Sequence, residues 1–287
     1  MRKTLLFVDG NFYMNRAWHV IHTENSIGRA LGALMTSMIC RDAITVKATH
    51  VIVGFDGMSF RYDIYDDYKH SRKKKTKGKS KSDETTKEIY TYMKDVQMYI
   101  GDAGIPFVHP PKHEADDVGA VCAAMGSKDL RVVIATKDKD SIQLLNPNVV
   151  MYNSNIKYPK NPYTLADIAI SKYGVESHQM VDYQTLVGDK GDDVPTLLGP
   201  AKVKKILAKY GSIRNWYKKG PRGGKRWLTE HSEEILRNRK LVQLIDDCIE
   251  IDINDLKVPR LTKKVQSFPS AWHDYQSFLY PKSRGLF

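Results

Sequence analysis

The residues of this chain best suited to chemistry are acids in short, separated groups. His113-Glu114-Ala115-Asp116-Asp117-Val118 carries three carboxylates within four positions. Directly after it, Val118, Val121, Cys122 and Met125 recur at the spacing of a buried helix face. The acids therefore fall on the first turn of that helix, where acidic residues often do no more than complement the helix dipole. Other positions argue for more. Asp9, Asp56, Asp138 with Asp140, and Asp189 with Asp192 stand where a predicted strand ends or a predicted helix opens. Unpaired carboxylates gathered at one end of a sheet repel one another, so a fold that collects them needs cations there. The expectation is a multi-carboxylate metal centre.

Such a centre suits phosphodiester hydrolysis, which needs an activated water and cover for charge on the phosphate. Two divalent cations about 4 Å apart supply both. Hard oxygen ligands suit Mg²⁺, with Mn²⁺ as a substitute. Zinc is not supported: the nine histidines form no ligand spacing, and Cys40, Cys122 and Cys248 are far apart with no CxxC pair. The cysteines also provide no disulfide framework, which fits a reducing cytoplasm. No GxSxG elbow or Walker loop occurs.

Lys and Arg total 45 against 33 Asp and Glu, a formal net charge of +12. A basic chain that still concentrates its acids suggests a polyanionic partner beside a metal site. The basic charge is densest from Lys69 through Arg72, Lys73, Lys74 and Lys75 towards Lys87. Charge runs are usually solvated surface. This one, at residues 69–87, interrupts an α/β pattern between an acid-bearing strand and a helix, which places it over the carboxyl edge of the sheet. Asp9 ends the first apolar run too early for a signal peptide, and no apolar segment approaches membrane-spanning length. The expected protein is a cytoplasmic monomer without a membrane partner.

Continuous apolar runs at residues 4–8, 50–55, 105–108, 131–136 and 149–152 read as buried strands alternating with helices. The pattern predicts an α/β domain over residues 1–162, with a mostly parallel sheet and helices on both faces. An Asp-Gly pair follows each of the first two strands, where open parallel sheets bind ligands. Residues 163–287 lose the strand-like runs and read as a helical, helix–turn–helix DNA-binding region. There Pro200 opens a helix whose Lys202, Lys205 and Lys209 line one face, suited to a phosphate backbone. Residues 212–226 read as a basic, glycine-rich loop, and residues 233–246 as a helix.

Taken in order, Phe7-Val8-Asp9-Gly10-Asn11, Phe55-Asp56-Gly57, Phe60-Arg61, Tyr68-Lys69 with Arg72, Glu114-Ala115-Asp116-Asp117, Thr136-Lys137-Asp138-Lys139-Asp140 and Gly188-Asp189-Lys190-Gly191-Asp192-Asp193 resemble the motif set of the 5′-nuclease family. That family comprises flap endonucleases, the 5′–3′ exonuclease domains of bacterial polymerases and stand-alone phage enzymes. The resemblance implies Mg²⁺-dependent cutting near the 5′ end of flap or single-strand-bearing DNA, and of RNA primers. It implies that Asp9, Asp56, Glu114, Asp116 and Asp117 serve one metal, Asp117 directly or through water or hydrogen bonds, and Asp138, Asp140, Asp189 and Asp192 the other. Lys69 and Arg72 would touch the scissile phosphate. Lys73, Lys74 and Lys75 would belong to an arch over a threaded strand, and Arg61 would join the DNA contacts. The chain departs from the family at residues 194–200, where a glycine-rich hairpin keeps one glycine. With no polymerase domain in the sequence, a stand-alone enzyme is expected, in host cytoplasm if phage-encoded, with a polymerase or single-strand-binding protein as separate partner. The rival readings are a PIN-type ribonuclease and a non-catalytic nucleic-acid-binding protein.

Overall fold

The computed structural model describes residues 2–20, 27–71, 88–153, 161–258 and 269–280. Arg72, Lys73, Lys74, Lys75 and the rest of the basic insertion to Lys87 lie outside the described residues. The strands are β1 (Lys3–Asp9), β2 (His50–Gly54), β3 (Phe107–Val108), β4 (Leu130–Ala135), β5 (Val149–Tyr152) and β6 (Tyr163–Thr164). They form one sheet in the order β3-β2-β1-β4-β5-β6, parallel except for the β5–β6 pair.

The helices are α1 (Gly10–Trp18), α2 (Ile27–Val46), α3 (Arg61–Ile64), α4 (Met93–Asp102), α5 (Ala115–Ala124), α6 (Met180–Val187), α7 (Pro200–Tyr210), α8 (Ile213–Lys219), α9 (Arg222–Glu230), α10 (Ser232–Val242) and α11 (Ser270–Leu279). Successive strand residues point to opposite faces, so each apolar strand feeds two cores. Leu6, Val8, Val51, Val53 and Val133 pack with α1, α2, α4 and α11. Leu5, Phe7, Ile52, Val132 and Ile134 pack with α5 and with the helices from α6 to α10. This second core runs without a break from the sheet into the helical region.

The structure corrects one helical expectation. Residues 212–226 are not a loop but α8 and α9, capped by Ser212, whose Oγ accepts from Asn215 N at 3.1 Å, and by Pro221. The misleading glycines serve packing. A Cβ at Gly220 would lie 2.3 Å from the Trp216 carbonyl oxygen, and one at Gly224 2.8 Å from the Trp216 indole nitrogen. Their absence lets buried Trp216 stack on Trp227 at 5.8 Å. The chain beyond residue 259, featureless in sequence, supplies α11. There Trp272 Nε1 donates to Ala103 O and Tyr275 Oη to Ala48 O.

Arg61 and Asp117 tie the two parts together from inside. Arg61, 1% exposed, donates from Nε to Leu241 O and from Nη2 to Gln243 O, at the end of α10. Its remaining hydrogens go to Asp117 Oδ1 and Oδ2 at 2.8 and 2.9 Å and to Glu114 Oε2 at 3.3 Å. All five guanidinium donors are used. Asp117, fully buried, also accepts from Glu114 N and Ile245 N. Burial alone would raise its carboxyl, but the hydrogen bonds and charge of Arg61 outweigh that and hold it below the usual range. One sequence expectation is thereby corrected: Arg61 is a buried structural cation rather than a DNA contact, and Asp117, expected to serve a metal directly or through water or hydrogen bonds, is its counter-ion. Breaking one side of a buried pair leaves the other charge uncompensated, at a cost of about 3–5 kcal/mol. Asp117→Ala should therefore lower stability by that order in denaturant melts, whereas Asp116→Ala should not. An Asp117→Ala protein as stable as its parent would refute the structural role.

Candidate metal centre

Parallel register brings the carboxyl ends of three strands abreast, with Val8 beside Val53 on one side and Ala135 on the other. The chain leaves β1 for β2 on one side and later returns to β4 on the other, so a crevice opens between the β1 and β4 ends, where open α/β sheets bind ligands. Asp9 stands at this point, ending β1 and capping α1. Its Oδ1 accepts from Phe12 N at 2.9 Å and its Oδ2 from Thr136 Oγ1 at 3.0 Å. Asp56 follows β2 and accepts from Ala115 N at 2.8 Å and Asn11 Nδ2 at 2.7 Å. The glycines after both acids permit close backbone approach: a Cβ at Gly10 would meet Gly54 O at 2.6 Å, and one at Gly57 would meet Pro110 O at 1.8 Å.

On the first turn of α5 the adjacent acids part. Asp117 turns inward to Arg61, while Asp116, about 100° further round the helix, joins the lining of a cleft of about 580 Å³ with Asp9, Asp56, Glu114 and Asp138. Lys69 and Tyr90 also line it. Glu114 accepts from Lys69 Nζ and from Tyr68 Oη at 3.2 Å. The remaining acids form a second group. Asp140 accepts from Gln184 Nε2 at 2.6 Å, and Asp189 pairs with Lys139 at 2.6 Å. Asp192 accepts from Tyr68 Oη at 3.3 Å and stands 3.8 Å from Lys69 Nζ. Lys69 thus lies between the groups. It holds a left-handed backbone, φ 53°, with its N–H on Asp192 O at 3.0 Å.

Crowding and burial disturb these acids together. Burial, then the neighbouring Asp56, pushes Asp9 up to about 7. Burial, then Asp138, Asp189 and Asp192, pushes Asp140 up to about 7. Asp56 is raised mainly by burial. Asp116 is driven well above the carboxylate range by burial and by Asp138, Asp9, Asp56 and Asp140. Its Oδ1 is also buried with no hydrogen-bond partner. A buried carboxylate oxygen without a donor, among acids that repel it, fits a bound cation. The all-oxygen donor set fits a hard divalent ion. Among the described residues no three His, Cys, Asp or Glu side chains form a ready-made cage for an ion. Asp9, Asp56, Asp140 and Asp189 have instead turned to protein donors, Thr136, Asn11, Gln184 and Lys139, and a cation would compete with these bonds.

Asn11, Tyr68 and Thr136 stand inside the motifs without a role of their own and Tyr90 and Gln184 outside them, because these neutral side chains become significant only beside acids from distant elements. Lys202, Lys205 and Lys209 are exposed on α7 and do not line the cleft. Asn238, fully buried, donates to Thr185 O and Pro195 O and so anchors the loop that bears Asp189 and Asp192 to α10.

A family model for the N-terminal resolvase-like domain of 5′-3′ exonucleases matches residues 4–174, and one for their C-terminal SAM fold matches residues 175–264. The chain is 32% identical over 272 residues to a 5′-3′ exonuclease of Aquifex aeolicus, covering 90% of this chain and 88% of that protein. It is 27% identical to the flap endonuclease Xni of Pseudoalteromonas translucida, over 86% of this chain and 95% of that protein. It is 28% identical to DNA polymerase I of Rhizobium leguminosarum over 92% of this chain, but spans only 26% of that polymerase. Its fold is that of the bacteriophage T5 flap endonuclease, with a TM-score of 0.69 at 18% identity, covering 96% of this chain and 98% of the other. With both family models matched in order and a 32%-identical relative covered almost end to end, the chain belongs to the 5′-3′ exonuclease and flap endonuclease family.

Proposed function

We propose that this nuclease cuts phosphodiesters near the 5′ end of flap or single-strand-bearing DNA, and of RNA primers, at the acid-lined cleft, with Mg²⁺ as its ion. The observation that carries the assignment of the site is Asp116 Oδ1, buried without a partner among Asp9, Asp56 and Asp138. The T5 flap endonuclease, which shares this fold, has been crystallised with metal ions and in complex with DNA and metal ions. Asp9, Asp56, Glu114 and Asp116 would hold one ion, and Asp138, Asp140, Asp189 and Asp192 the other. When bound, divalent cations activate water for attack and offset charge on the phosphate.

The rest falls to the chain's own cations. Lys69 is held on Glu114 beside Asp192, between the two acid groups, and would turn to the scissile phosphate once cations occupy the carboxylates. Arg72 would act beside it. Lys73, Lys74 and Lys75 would bind the single strand, and exposed Lys202, Lys205 and Lys209 the duplex backbone. The protein would act in the cytoplasm as a monomer, alongside a polymerase or single-strand-binding protein. No helix among the described residues is long and apolar enough to cross a membrane.

Removing one hard ligand tests the site. Asp138→Asn should cut turnover by orders of magnitude while flap DNA still binds and the thermal melt is preserved; normal cleavage in Mg²⁺ would remove Asp138 from the centre.

The raised acids set a pH dependence. A carboxyl lifted from 3.8 to about 7 in the fold favours the folded state at acid pH. Its contribution is fully present below the unfolded value and lost as pH rises through about 7. Metal-free protein should therefore lose stability across that window, and saturating Mg²⁺ should restore it by binding the ionised acids. Thermal melts with EDTA and with Mg²⁺ between about pH 5 and 8 measure both. A metal-free stability that rose through this window would contradict the buried-acid assignment.

For Lys69, an interaction that strengthens as charge develops should appear in kcat rather than in binding. Lys69→Ala should slow single-turnover cleavage at saturating DNA by about 100-fold or more, with little change in Kd. Loss of affinity alone would make Lys69 a tether.

A further inference from the structure

Tyr90 belongs to the helical turn at residues 88–91, where the described structure resumes after the basic insertion. The residue is 40% exposed and lines the cleft with Asp9, Asp56 and Asp116. Its hydroxyl oxygen lies 2.8 Å from Asn11 Nδ2. The roles in that contact are determined. Asn11 Oδ1 accepts from Asp56 N at 3.1 Å, which fixes the orientation of the amide. Its nitrogen, also bonded to Asp56 Oδ2 at 2.7 Å, can only donate. Tyr90 Oη must therefore accept from Asn11, and its own hydrogen remains available. Among the described residues no protein acceptor takes it. The phenol also stays protonated at neutral pH, because burial and then the charge of Asp56 raise it.

We propose that Tyr90 is a further catalytic residue, whose O–H donates to a nonbridging oxygen of the scissile phosphate. The assignment rests on the reading that this cleft is where the phosphodiester is cut. A phosphate brought to the acid cluster enters the cleft that the hydroxyl lines. The type of donor also suits the place. A lysine or arginine beside Asp9 and Asp56 would pair with those acids and compete with cations for them, as Lys69 already pairs with Glu114. A phenol offers a hydrogen bond without carrying a charge. Anchored by Asn11, it is oriented before the substrate arrives, which is what makes a donor effective towards charge that develops during reaction.

Tyr90→Phe removes the O–H and keeps the ring. Single-turnover cleavage of a 5′-flap DNA at saturating protein and Mg²⁺ should fall about 10- to 100-fold, somewhat less than the loss of an oxyanion-hole donor. The Kd for that DNA and the Mg²⁺ concentration for half-maximal rate should stay within about twofold, as expected for an interaction made in the transition state. With sulfur in place of either nonbridging oxygen of the scissile phosphate, the isomer that removes the Tyr90 acceptor should lose less to Tyr90→Phe than the other. A parental rate, a rate recovered by excess Mg²⁺, or an equal loss with both isomers would overturn the assignment. Recovery by Mg²⁺ in particular would show that Tyr90 only positions Asp56 through Asn11. Asp116→Asn is the control. If it cleaves normally, the cleft is not the site and both readings fall. If it is inactive while Tyr90→Phe matches the parent, only the Tyr90 assignment falls.

Discussion

The buried pair of Arg61 and Asp117 is the interaction on which the rest of the structure depends. Two opposite charges taken out of water are tolerated only when geometry and further hydrogen bonds satisfy every donor and lone pair. Here the five donors of the guanidinium and both carboxylate oxygens are engaged. The pair joins the start of α5 to the end of α10, so it holds the sheet's helix and the helical region in one relation. It also decides the rotation of α5 about its axis. With Asp117 drawn inward, Asp116 can only turn towards the cleft.

Around that anchor the acids are kept apart by neutral or cationic neighbours rather than by distance. Thr136 serves Asp9, Asn11 serves Asp56, Gln184 serves Asp140, and Lys139 serves Asp189. The base of the basic insertion is fastened in the same manner. Lys69 and Asp193 both adopt left-handed backbone, φ 53° and 57°, unusual for side-chain-bearing residues. Their segments are tied by Lys69 N on Asp192 O and by Ser71 N on Asp193 Oδ2 at 2.7 Å. That strain is held by the tie between loop and insertion, and it is what brings Lys69 to both acid groups.

The helical region is accordingly not an appendage. Its residues share a core with β1 and β4, and through Asn238 it sets the loop that carries Asp189 and Asp192. Asp189 and Asp192 therefore depend on packing between the two parts. The match of the family models on either side of residue 174 divides the sequence more sharply than the packing divides the molecule.

By itself the sequence determined what short-range pattern can encode. Apolar runs specified β1, β2, β4 and β5, Asp-Gly pairs marked the strand ends, and the order of the acidic motifs pointed to a nuclease. The tertiary structure decided what depends on partners far along the chain. Asp116 and Asp117 are the same residue type in adjacent positions, and only a cation 56 residues before Asp117 separates their roles. Tyr90 reads as one more helix-face aromatic until Asn11, 79 residues away, gives its hydroxyl a direction. Glycines that looked like a loop are the clearance around Trp216. Periodicity records which face of an element is apolar. It carries no information on which distant charge or ring will meet that face, because that pairing is settled by packing.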